Sequence, residues 1–94
     1  DPPSYGRGPG GEVWRIEDEL YPLIEDCMKI MSDDPLFFLI NSYTTGLSQT
    51  VLSNVLQLTM QKRYGGRVSA DEIGLPIADG KLVLPCGISG RWEK

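Results

Sequence analysis

Histidine is absent from this chain. Its absence removes the Ser-His-Asp and Cys-His arrangements as usually built, in which an imidazole takes the nucleophile's proton. It also removes the commonest ligand of transition metals. Only two cysteines are present, Cys27 and Cys86, and two thiols alone do not make a structural zinc site. The residue inventory therefore leads to an expectation of no metal and no cofactor. Cys27 and Cys86 are left either bridged or as two buried thiols, because nothing marks an oxidising compartment.

An excess of positive charge is also missing. The formal net charge is −4, which disfavours non-specific binding to nucleic acid or to an anionic membrane. No Lys-flanked apolar run marks a targeting peptide, and the first residue is Asp1, not Met. A processed, organellar or exported origin is left open, and the compartment is unassigned.

The third lack is local. From Pro35 to Gln61 there is no charged residue. Leu36, Ile40, Tyr43, Leu47, Val51, Val55 and Leu58 recur there by three or four, in phase across Gly46, and predict one long helix. A shorter helix is predicted before it, over about 18–31, on Leu20, Leu23, Cys27 and Ile30 with Asp18 as its cap. Asp34-Pro35 reads as the start of the second helix and Gly65 as its end, giving bounds of about 35–64. The tight connection between them implies an antiparallel helical hairpin.

Residues 1–11 read as a flexible Gly/Pro-rich arm, and 12–94 as one small domain. A short β-hairpin is predicted over about 75–85 with Asp79-Gly80 at its turn, followed by an irregular tail. The expected fold class is thus mainly α.

Few constellations point to catalysis. Gly6, Gly8 and Gly11 match a dinucleotide-binding glycine pattern in letters only, since no strand can precede them. Glu17-Asp18-Glu19 and Glu25-Asp26 are helix neighbours that point in different directions. An enzyme is not expected. One would need a pocket converging on Cys86 or on a carboxylate pair.

The expected function is a non-catalytic protein–protein interaction module. In that reading the chain is a small accessory or assembly subunit whose uncharged helix is buried against a protein partner or a second copy, because interface cores are depleted in charge. Phe37, Phe38, Tyr43, Gln49, Ser53, Gln57 and Trp92 are the candidate interface residues. One alternative is a helix-turn-helix-like DNA reader presenting Gln49 to Asn54 to base edges. Another is a small subunit touching the membrane only within a larger complex.

Overall fold

The computed structural model describes residues 2–44, 46–78 and 80–94. Its elements are β1 (Tyr5–Arg7), β2 (Val13–Arg15), α1 (Ile16–Ile30), β3 (Phe37–Ser42), α2 over 49–64, β4 (Arg67–Pro76) and β5 (Val83–Glu93). The helix α2 runs as Gln49–Leu56, a π-type turn at Gln57–Gln61, and Lys62–Tyr64. The architecture is α+β, with strands in two sheets. The expected mainly α helical hairpin is overturned.

The first half of the uncharged run is a strand. Phe37-Phe38-Leu39-Ile40 places aromatic and branched side chains at successive positions, which suits a pleated strand and not one helical stripe. A short apolar run fits either period, and here the spacing of Leu36, Ile40, Tyr43 and Leu47 coincides with a helical one. Gly46 lies in the turn between β3 and α2, and Thr45 falls outside the described residues. Since a strand precedes that turn, there is no helix-turn-helix.

The phase of α2 also differs from expectation. Its buried side chains are Leu52, Leu56, Thr59 and Met60, while Val51 and Leu58 are exposed. The π-type turn makes this possible, because its extra residue brings the adjacent Thr59 and Met60 both onto the core side. The Thr59 hydroxyl donates to the Val55 carbonyl at 2.7 Å.

Helix α1 begins at Ile16, two residues before the expected cap. Ile16, Leu20 and Ile24 recur every four residues and form its buried side. Glu17, Asp18 and Glu19 occupy the first turn, where the macrodipole favours anions. Pro22 lies inside the helix, beyond the first turn, where it withholds an N–H from the helical ladder. No described helix is long and apolar enough to cross a membrane.

The segment expected as an irregular tail is the middle strand of the larger sheet. The strand order is β3-β5-β4, with β5 antiparallel to both neighbours. β3 and β4 are therefore parallel to each other, and α2 is the crossover that joins them. The expected short hairpin is only the tip of the long β4–β5 pair.

Trp92 on β5 lies between Phe38 of β3 and Val68 of β4, and is fully buried. Its indole N–H donates to the Gly65 carbonyl at 2.6 Å, and its ring lies 5.6 Å from that of Tyr64. Gly90, two residues earlier on the same face, has no side chain because the helix is too near. A Cβ there would come within 2.7 Å of Leu52 and 2.9 Å of Leu56.

Residues of the expected flexible arm form β1, which pairs with β2 through Gly6↔Trp14. The arm is tied to the body as well, since the Ile16 N–H donates to the Ser4 carbonyl at 3.1 Å.

Trp92→Ala is expected to cost about 3–5 kcal/mol, and Trp92→Phe about 1–3 kcal/mol through the orphaned Gly65 carbonyl. Urea unfolding followed by circular dichroism measures both. Gly90→Val is expected to destabilise by about 1–3 kcal/mol through overpacking against Leu52 and Leu56, read as a lowered melting temperature.

Candidate functional site

A cleft of about 540 Å³ opens where β3 ends and α2 begins. It lies just past the last residue of β3, beside the first turn of α2 and the amino-terminal half of β5. The size is that of a small-molecule site, with apolar walls and a few polar groups.

Four segments build it. Tyr43 and Thr44 follow the last residue of β3, and Leu47, Ser48 and Gln49 form the entry to α2. Glu72 comes from β4, and Pro85 to Ile88 from β5. Ser48 caps the helix, its hydroxyl accepting the Val51 N–H at 3.2 Å, which holds the first turn against the cleft. Ser42 is buried, and its hydroxyl accepts the Thr44 N–H at 3.3 Å, which sets the path of the chain out of β3. The Thr44 hydroxyl in turn bonds to that of Ser4, so the N-terminal segment braces the rim.

On the opposite wall, β5 carries one more residue than β4. Ile73 pairs with Gly87 and Gly74 with Pro85, which leaves Cys86 as a bulge. Bulges re-aim side chains. Cys86 is a half-buried free thiol whose Sγ donates to the Ile73 carbonyl at 3.4 Å. Cys27 is a second free thiol, on α1, so the two cysteines are not bridged. Near the same end of β3, the side-chain oxygen of Asn41 is buried with no hydrogen-bond partner among the described residues.

The structure separates the seven residues expected at an interface. Tyr43 and Gln49 line the cleft. Phe37 is exposed, while Phe38 is half-buried against the core. Ser53 accepts a hydrogen bond from Gln57 at 3.1 Å on the side of α2, away from the cleft. Trp92 has no exposed surface to offer a partner, because it lies under α2 on the middle strand of the sheet. Cys86, which sequence reasoning tied only to an enzyme it did not expect, is among the residues lining the cleft. Sequence reasoning did not single out Glu72, Thr44 or Ser48, and Glu72 joins the other two only when β4 returns beside β5.

Among the described residues no group of three or more potential metal-ligating side chains comes together.

No family model matches the chain, and no curated protein matches it. Among solved structures, the chain is similar to the crystal structure of the SAM-dependent methyltransferase from Agrobacterium tumefaciens, with 33% sequence identity and a TM-score of 0.81. The match covers 98% of this chain and 31% of the other, so the chain spans about a third of that protein's length. This likeness overturns the expectation of a non-catalytic accessory subunit and of a chain outside the enzymes, since what the chain shares is the fold of part of an enzyme.

Ser48→Ala is expected to cost about 1 kcal/mol by uncapping α2. For a chain of this size that corresponds to a fall in melting temperature of about 5 °C, measured by a thermal scan.

Proposed function

We propose that this chain forms part of a methyl-transferring enzyme that uses S-adenosylmethionine, and that the cleft beside Tyr43 and Cys86 is the part of the active site it contributes. The observation that carries this reading is the 33% identity to a SAM-dependent methyltransferase along 98% of the chain. The cleft is of a size and lining that suit a small-molecule site.

The free edge of β3 supports the same reading. β3 pairs on one side only among the described residues. Phe37 and Leu39, on the face turned away from Trp92, are 62% and 54% exposed. An unpaired strand edge and an uncovered apolar face are where further chain of a longer polypeptide would pack.

S-adenosylmethionine, when bound, supplies an electrophilic methyl group. The described residues do not form a cradle for its nucleoside. Their one glycine-rich run closes the β1–β2 hairpin, with the Gly8 N–H donating to Glu12 and the Gly11 N–H to Gly8, and is followed by a strand. A nucleoside cradle runs from a strand directly into a helix N-terminus. We therefore assign this chain the acceptor side. There Tyr43 offers a ring for packing, Glu72 a hydrogen-bond acceptor and Gln49 an amide.

The test is transfer of a labelled methyl group from S-adenosylmethionine to pools of nucleic acid, protein and small molecules, using the natural polypeptide that carries this chain. Incorporation into one pool is expected. Tyr43→Ala should lower it by about tenfold or more with the fold intact by circular dichroism, since a misplaced acceptor loses near-attack geometry. No labelled product in any pool, with the protein folded, rejects the reading.

A further inference from the structure

The place of the Tyr43 ring depends on a side chain missing from the next strand. Gly87 of β5 carries none, and a Cβ there would come within 2.6 Å of the Tyr43 ring and of the Ser42 carbonyl. The ring therefore lies against bare β5 backbone. Tyr43 is still 55% exposed, in the wall of the cleft. A flexible aliphatic side chain adapts to a ligand of any outline. An aromatic ring laid on backbone offers a flat surface, and such a surface favours a flat ligand, because stacking brings the whole ring face into contact at once.

Charge narrows the choice. Among the described residues that line the cleft, Glu72 is the one charged group, and none is Lys or Arg. The first turn of α2 holds no acidic residue of its own. The N-terminus of that helix favours an anion, and Glu72 supplies one from within the protein. A negatively charged ligand would meet Glu72 with no cation to offset it. A carboxylate accepts hydrogen bonds and donates none, so the group that faces it must bring an N–H or an O–H.

Register sets the span. Glu72 and Ser42 both stand opposite Ile88, on either side of β5. Tyr43 follows Ser42, so Tyr43 and Glu72 stand about two inter-strand spacings apart, on the order of 10 Å. One ring or two fused rings bridge that gap, with a face on Tyr43 and a donor toward Glu72.

We propose that the ligand of this cleft is a planar ring, aromatic or heteroaromatic, that carries an N–H or O–H donor and no negative charge. That this ring is the methyl acceptor rests on the reading of the cleft given above. Tyr43 packs on its face and Glu72 accepts from its donor. Gln49, whose amide both donates and accepts, serves the rest of its edge.

Saturation-transfer difference NMR on the natural polypeptide that carries this chain tests the ligand class without needing turnover. Three probes separate its parts. Indole is flat, uncharged and has an N–H. Benzoate is flat but anionic, and cyclohexanol has a donor but no plane. Indole is expected to bind, and benzoate and cyclohexanol to bind about tenfold more weakly or not at all. Tyr43→Leu should weaken indole by about tenfold, and Tyr43→Phe, which restores the ring, should recover most of that loss. Glu72→Lys should reverse the order of indole and benzoate. Circular dichroism checks that each variant stays folded. Cyclohexanol or benzoate binding as well as indole overturns the proposal, as does indole binding indifferent to Tyr43→Leu. Labelled methyl transfer by a polypeptide that does not bind indole also overturns it, and leaves the methyl-transferring reading standing. Indole bound at Tyr43 by a polypeptide that transfers no methyl group keeps the ring as the ligand and rejects its role as acceptor.

Discussion

Trp92 is the contact on which the rest of the structure depends. It stands near the end of the middle strand, where one side chain meets both neighbouring strands and the helix above them. Its indole nitrogen satisfies a carbonyl just past the end of α2, which has no helical N–H left to accept. One residue thereby fixes the distance between sheet and helix and the point where the helix stops. Gly66 follows from this, since it adopts a φ of 82° and a Cβ there would meet Trp92 and the Glu93 carbonyl.

The cleft is a consequence of that frame and not a separate construction. Trp92 and Gly90 hold α2 close to β5 at one end of the sheet. At the other end, past Ile88, the bulge at Cys86 turns the strand, and the turn after β3 opens away from it. The resulting gap is walled by the capped first turn of α2, whose orientation Ser48 maintains. The same bulge also releases the exposed end of the β4–β5 pair, from Gly74 to Pro85. A single extra residue in β5 thus separates the half of the hairpin that builds the site from the half that projects beyond it.

Charge plays a secondary role in holding the fold. Glu93 pairs with Arg67 at 3.1 Å and with Arg91 at 3.2 Å on the solvent side of the sheet. Pairs this exposed contribute less than about 1 kcal/mol each. The backbone does more at this corner, where the Lys94 N–H donates to the Leu36 carbonyl at 3.0 Å and fastens the end of β5 to the start of β3.

Local sequence determined a good deal by itself. Helical spacing made the first helix legible, although its buried side is Ile16, Leu20 and Ile24 and not the expected Leu20, Leu23, Cys27 and Ile30, and Gly65 marked the end of α2, because each of these depends on neighbours within a few residues. The charge-free run from Pro35 to Gln61 marked neither one helix nor a buried segment, since it holds β3 and most of α2 and leaves Leu36, Phe37, Leu39, Val51 and Leu58 exposed. Whether Phe37 to Ser42 became strand or helix was decided by β5, which arrives some fifty residues later to supply its hydrogen bonds. The same is true of Trp92, which reads as a tail residue until β3 and β4 close on either side of it. The cleft is further still from the sequence, since Glu72, Cys86 and Tyr43 have no shared spacing or motif. Only the tertiary structure makes them neighbours, because an antiparallel return brings distant residues together in a register that local periodicity does not encode.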